Sequence, residues 1–174
     1  MILTKTSADK KLRRMALEIA ERNADKSAII IIGIKENGLF IAKKIEAFLQ
    51  PIFNGTVKTI SLSINKKSPE RIELSEEVNL QNQAILLVDD VANSGRTMLY
   101  ALAPLLEHYP SQIETLALVE RTHKLFPVAL NYVGLSVSTK EEENIEVMVE
   151  GGEVIRASLN PSKEKPPKSP ERGL

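Results

Sequence analysis

The chain of 174 residues has no cysteine, so disulfides, thiolate nucleophiles and thiolate metal sites are all excluded. It has no tryptophan and only 4% aromatic residues, which leaves aliphatic side chains to build the core. Neither sign of charge is in excess. The 23 lysines and arginines offset 23 aspartates and glutamates, and the pI is near 6.8. A balanced surface gives no broad attraction to nucleic acid and leaves only a local basic patch for that purpose. No apolar run approaches the roughly 20 residues that cross a bilayer. Met1 to Arg14 is mixed and charged, without the apolar centre of a signal peptide. These absences lead to the expectation of a cytoplasmic protein with no membrane partner.

Two familiar nucleotide loops are also missing. Gly33 to Gly38 has the outer glycines of a P-loop but continues Leu39-Phe40, so the phosphate lysine and metal hydroxyl are absent. No Gly-x-Gly-x-x-Gly follows a strand, which argues against a dinucleotide site. There is no plausible Ser-His-Asp or Cys-His set for covalent catalysis.

The apolar content that is present, 43%, is that of a globular domain, and the length suits one domain with a full core. Ser7 or Asp9 is placed to cap a first helix reaching about Asn23, with Leu12, Met15, Ala16 and Ile19 on one stripe. Ala28 to Ile32 reads as a buried strand, Gly33 to Gly38 as a turn, and Leu39 to Leu49 as a helix closed by Pro51 and Gly55. Val57 to Ile64 alternates as a strand. Asn65 to Leu80 is polar and aperiodic, which predicts a long functional or mobile loop. Ala84 to Val88 is the central strand, Thr97 to His108 a helix, and Ile113 to Val119 another strand. Tyr132-Val133 and Ile145 to Val149 begin two more. Alternating strands and helices predict an α/β fold, a mostly parallel twisted sheet with helices on both faces. The stretch from Asn160 to Leu174 carries four prolines and almost no apolar residue, and is expected to be a disordered tail after a domain at 1–159.

The most informative stretch is Ile85-Leu-Leu-Val-Asp-Asp-Val-Ala-Asn-Ser-Gly-Arg-Thr97. An apolar strand runs into two adjacent acids, then into a small-residue turn that opens a helix. Asp89 and Asp90 are suited to sugar hydroxyls or a cation. Asn93, Ser94, Gly95, Arg96 and Thr97 offer backbone amides and hydroxyls to a phosphate, because the first N–H groups of a helix lack internal partners and its dipole is positive there. A ligand that satisfies both halves is a phosphorylated sugar with a divalent metal. Ligands of such sheets sit beyond the carboxyl ends of the strands, so Gly33–Gly38 and Val91–Thr97 should line one crevice.

This pattern resembles the phosphoribosyl pyrophosphate (PRPP) motif of type I phosphoribosyltransferases, and the thirteen residues match throughout. The resemblance implies that Asp89 and Asp90 hold the ribose, with a metal (Mg²⁺) reached through PRPP or water, and that Asn93 to Thr97 hold the 5-phosphate. It implies that Lys35, Glu36, Asn37 and Gly38 form the pyrophosphate turn, and that a small hood covers the base. Asp90, Lys66 and Arg71 are the catalytic candidates, the two cations coming from the 65–80 stretch. Further along, Leu118-Val-Glu-Arg-Thr-His-Lys124, Pro127, Asn131-Tyr132-Val133-Gly134 and Ser138 to Val149 are similar to the pyrimidine-operon attenuator proteins with uracil phosphoribosyltransferase activity. That likeness assigns Arg121, His123 and Lys124 to the base or to RNA. Partners implied are PRPP, a nucleobase, the nucleoside monophosphate product, RNA, and further copies of the chain in a homodimer or larger.

Two departures stand out. Attenuator proteins usually carry Lys-Thr-Arg-Gly in the pyrophosphate turn, where this chain has Lys35-Glu36-Asn37-Gly38, losing a bidentate phosphate donor. They also carry Tyr-Arg-Asp-Asp before the loop, where Ser61 to Lys67 has neither arginine nor an acidic pair. The leading expectation is a uracil phosphoribosyltransferase. Its rivals are an RNA-binding nucleotide sensor with little catalysis, using Lys10, Lys11, Arg13, Arg14, His123 and Lys124, and a hypoxanthine or guanine phosphoribosyltransferase.

Overall fold

The computed structural model describes residues 1–64, 72–140 and 143–161. Its larger sheet is built on β2 (Ala28–Ile34), whose unbroken aliphatic run is buried on both sides. Successive side chains of a strand point to opposite faces. Ile29 and Ile31 therefore join one core and Ile30, Ile32 and Ile34 the other. The first core is covered by α1 (Lys5–Arg22) through Leu12, Met15 and Ile19, and by α2 (Lys35–Leu49) through Ile41, Ile45 and Leu49. The second is covered by α3 (Arg96–Leu106) through Met98, Ala101 and Leu105. Truncating one of the fully buried leucines, isoleucines or methionines among these to alanine costs about 2–5 kcal/mol.

The six strands lie in the order β4-β3-β2-β5-β6-β7. β3 (Thr56–Ile64), β2, β5 (Ala84–Ala92), β6 (Gln112–Arg121) and β7 (Tyr132–Val137) are parallel, and β4 (Ile72–Leu74) runs antiparallel on the β3 edge. The chain moves outward one way from β2 and the other way from β5, so the switch point lies between them, where Gly33 pairs with Val88. A second, antiparallel sheet joins β1 (Leu3–Thr4), β9 (Glu153–Pro161) and β8 (Glu143–Glu150). Gly151 and Gly152, both at positive φ, make its two-residue hairpin turn.

The expected α/β architecture, with a parallel sheet between helices and a small hood, is the one found. Several local readings need correction. The first helix starts at Lys5 with Thr4 as its cap, and Ser7 serves as the reciprocal partner of that cap. Gly33–Gly38 is not a turn, because α2 begins directly at Lys35 and contains Gly38. The central strand runs on to Ala92, so both acids lie within it. The 65–80 stretch is not loop throughout, since β4 pairs with β3 there. β1 and β9 have no counterpart in the sequence reading, and β9 reaches two residues into the expected tail. Residues 65–71, with Lys66 and Arg71, and the tail after Pro161 lie outside the described residues.

Far from the switch point, α1 is tied to β6 and β7 by a polar knot. Asn23, 1% exposed, donates to Glu114 Oε2 at 2.8 Å, and Tyr132 Oη donates to the same oxygen at 2.9 Å. Burial, followed by that bond to Glu114, holds the Tyr132 hydroxyl above the ordinary tyrosine range.

Candidate active site

The carboxyl ends of β2, β3 and β5 open on a crevice of about 850 Å³, within the usual size of a small-molecule site. Its walls include Lys35, Glu36 and Asn37 from α2, Asp89 and Asp90 from β5, and Asn93 and Thr97 at the start of α3. Ile145, Glu146 and Val147 of β8 complete it as a hood.

The two acids differ in setting. Asp89 is 8% exposed, whereas Asp90 is half-buried at the crevice wall. Each accepts a bond from the next backbone amide, Asp90 N–H to Asp89 Oδ1 and Val91 N–H to Asp90 Oδ1, both at 2.9 Å. Burial pushes the Asp89 carboxyl well above the usual carboxylate range, and Asp90 beside it adds to the rise, while the Lys35 charge acts against it. A cation or a donor hydroxyl at this wall would favour the ionised form.

α2 and α3 both start without a side-chain cap. Lys35 adopts φ 54°, a left-handed conformation that costs a non-glycine residue about 1–3 kcal/mol, and it turns β2 into α2 with no intervening loop. Gly38 allows the helix to lie against β5, since a Cβ there would meet Val88 O at 2.7 Å. That contact brings Asn37 to Asp90, with Nδ2 donating to Asp90 Oδ2 at 2.8 Å and to Val147 O at 3.2 Å. At the other helix, Gly95 takes φ 82°, and an added Cβ would lie 3.2 Å from Phe126 O. Ser94 Oγ accepts from Arg96 N–H at 3.3 Å, and Ser94 O accepts from Phe126 N–H at 3.0 Å. Asn93 donates weakly to Ile145 O at 3.5 Å, and its own Oδ1 is buried with no partner among the described residues.

Not every residue singled out from the sequence lines this crevice. Asp89, Asp90, Asn93, Thr97, Lys35, Glu36 and Asn37 do. Ser94 and Gly95 shape the turn behind it, and the Arg96 guanidinium lies 4.9 Å from the Phe126 ring centroid. Arg121, His123 and Lys124 are outside the lining. Arg121 donates to Lys140 O at 2.5 Å, Lys124 pairs with Glu120 at 2.6 Å, and His123 Nε2 is 3.5 Å from Ser138 Oγ. The basic residues of α1 are largely engaged too. Arg13 pairs with Asp9 and stacks on Phe48, and Arg14 pairs with Glu18 and donates to Val133 O at 2.7 Å. The sequence reading missed Ser61 to Ser63 as a wall, although β3 runs parallel to β2 and so ends at the same edge. Glu146 falls inside the Ser138 to Val149 stretch likened to the base-covering segment, although its local spacing does not single it out.

Residues 1–150 match the phosphoribosyl transferase domain family. The chain is 31% identical over 159 residues to the bifunctional protein PyrR of Clostridium novyi, covering 86% of this chain and 89% of that one. It is likewise 31% identical to the bifunctional protein PyrR of Staphylococcus carnosus, covering 86% and 91%. Among solved structures, the hypoxanthine phosphoribosyltransferase of Trypanosoma cruzi superposes with a TM-score of 0.75 at 15% identity, over 91% of this chain and 97% of that one. A hypoxanthine-guanine phosphoribosyltransferase of Bacillus anthracis superposes with a TM-score of 0.65 at 18% identity, over 79% and 80%. At these identities the structural likeness speaks for the fold alone.

Proposed function

The chain belongs to the phosphoribosyl transferase domain family, as a type I phosphoribosyltransferase, and from that premise we propose that it transfers phosphoribose from PRPP to uracil. The observation that carries the reading is the convergence of two uncapped helix starts on one pair of acids at the switch point. PRPP has a matching layout, with a phosphate at each end of a sugar diol. In this reading the start of α3, Asn93 to Thr97, receives the 5-phosphate. Asp89 and Asp90 accept from the ribose hydroxyls. The start of α2, with the Lys35 charge, receives the pyrophosphate. Lys66 or Arg71 adds a cation from the 65–80 stretch.

The bond from C1 to pyrophosphate breaks, with both electrons leaving on pyrophosphate, and a ring nitrogen of the base bonds to C1 and gives up its proton. Negative charge grows at the leaving group, so donors fixed beside α2 act most strongly in the transition state. Asp90, the more open acid, faces the sugar and is placed to balance the positive charge that develops there. The hood excludes water that would otherwise hydrolyse the sugar. Glu36 stands in the crevice wall at the start of α2, where its charge weakens the anion site.

Two adjacent carboxylates supply hard oxygens for Mg²⁺, and no third acidic, histidine or cysteine group joins them among the described residues. That donor set fits an ion shared with substrate phosphates rather than a cage made by protein alone. The ion would shield the pyrophosphate charge as it departs.

Uracil is favoured as acceptor by the likeness of residues 117–149 to the attenuator proteins and by relatives named PyrR. The test is nucleoside monophosphate formation from PRPP with uracil, hypoxanthine and guanine supplied separately. Product from uracil alone supports the reading, and product from a purine alone replaces it. The likeness to the attenuator proteins supports a second role in RNA binding, and the relatives' name, bifunctional, allows for a second role. Arg13 and Arg14 of α1 are engaged, which leaves Lys10 and Lys11 of that helix for such contacts, and a steep fall of RNA affinity with salt is its signature.

A further inference from the structure

We propose that Asn37 is a positioning residue that sets the Asp90 carboxylate and the hood together; this rests on the reading that Asp90 serves the transfer. The side-chain nitrogen of an asparagine has two hydrogens. Nδ2 of Asn37 directs them at two acceptors, Asp90 Oδ2 at 2.8 Å and Val147 O at 3.2 Å. The other Asp90 oxygen accepts from Val91 N–H at 2.9 Å, so both oxygens are held and the carboxylate plane is fixed. A hydrogen bond to a charged acceptor is among the stronger kinds.

The placement is built into the fold. The direct passage from β2 to α2 at Lys35, and the close packing of Gly38 on Val88 O, hold the start of α2 against β5 and bring Asn37 within hydrogen-bond distance of Asp90. The second acceptor belongs to the free edge of β8, since the small sheet is ordered β1-β9-β8. Ile145 O and Val147 O lie two residues apart along that edge, and asparagines of the two helix-start segments reach both, Asn93 the first and Asn37 the second. A shift of the hood therefore pulls on the same nitrogen that orients Asp90. Asn37 thus has a different task from the phosphate contact implied by its place in the turn. Its side-chain donors face a carboxylate and a carbonyl, and the backbone at the start of α2 is left to meet the anion.

The test is a double-mutant cycle between Asn37→Ala and Asp90→Asn, read as single-turnover rate and as kcat and KM for PRPP. In the wild-type background Asn37→Ala is expected to lower kcat by about 10- to 100-fold, the worth of a bond to a charged group. KM for PRPP should stay within about three-fold, since the backbone at the start of α2 is untouched. In the Asp90→Asn background the same change should cost less than about three-fold, because the charged carboxylate that it orients is gone and at most a neutral amide acceptor remains. Asn37→Leu, which keeps the volume and removes both donors, repeats the cycle should the alanine variant fold poorly. Losses that multiply, or no loss from either Asn37 variant, overturn the inference while leaving the role of Asp90 intact. Full turnover by Asp90→Asn itself overturns that role and the inference with it, so the two failures are told apart.

Discussion

The helix that opens the chain and the two that open on the crevice begin in opposite ways. α1 is sealed by a full capping box, in which Ser7 N–H donates to Thr4 Oγ1 at 3.2 Å and Thr4 N–H donates to Ser7 Oγ at 2.9 Å. The cap residues of α2 and α3, Ile34 and Gly95, supply no side-chain bond, and among the described residues α3 has only the 3.3 Å bond from Arg96 N–H to Ser94 Oγ. Each of the two helices starts at or beside a residue in left-handed conformation, Lys35 and Gly95. A sealed start satisfies orphan N–H groups within the chain. An open start beside a crevice leaves them for an anion. The same chain thus favours stability where no ligand is expected and gives some of it up where phosphates are expected to bind.

The largest effect that tests this contrast is at the acids between the open starts. Asp90→Asn is expected to lower kcat by about 100-fold or more, measured as pyrophosphate release, while the melting temperature holds. Next, Gly95→Ala forces a Cβ into left-handed geometry and toward Phe126 O, at a cost of about 1–2 kcal/mol. If the free turn shifts to relieve that cost and PRPP must restore it, calorimetry should show PRPP binding weakened by about ten-fold. The reverse result is expected at the sealed start. Thr4→Ala should lose about 1 kcal/mol in a urea melt and leave kcat unchanged. A weakening of PRPP binding there equal to that at Gly95 would erase the distinction.

The smallest effect concerns pH. Burial acts to raise the Glu120 carboxyl, but the bonds from Lys124 and Ser136 with the Lys124 charge outweigh it, and the net shift is downward. A carboxyl lowered by folding stabilises the folded state above its unfolded value, near 4.5, and that contribution is lost as pH falls through the folded value. Glu120→Gln should therefore reduce stability at neutral pH by up to about 1 kcal/mol and flatten the decline below pH 4.5, as followed by denaturant midpoints.

The sequence shows the sheet more clearly than the hood, for physical reasons. Runs such as Ile29 to Ile32 and Ile85 to Val88 are buried on both faces and announce themselves by composition. The acids and the turn after them are a local motif, readable without any distant contact. β9 is short of such signals because Ser158, Asn160 and Pro161 dilute it, although the Gly151-Gly152 pair marks a hairpin turn. The supposed turn at Gly33–Gly38 failed because two glycines suggest a loop, whereas Gly38 is required for close packing of α2 on β5. The bond from Asn37 to Asp90 joins residues 53 positions apart and has no trace in local spacing. For the same reason Arg121 and Lys124 read as free donors although Lys140 O and Glu120 hold them.

The most direct test of the open starts is a crystal structure of the protein with a nucleoside monophosphate. The expected result has the 5-phosphate against the backbone N–H groups at 95–97 and the ribose hydroxyls on Asp89 and Asp90. A phosphate bound elsewhere, with the start of α3 left without an anion, would contradict the assignment of this crevice as the phosphoribose site.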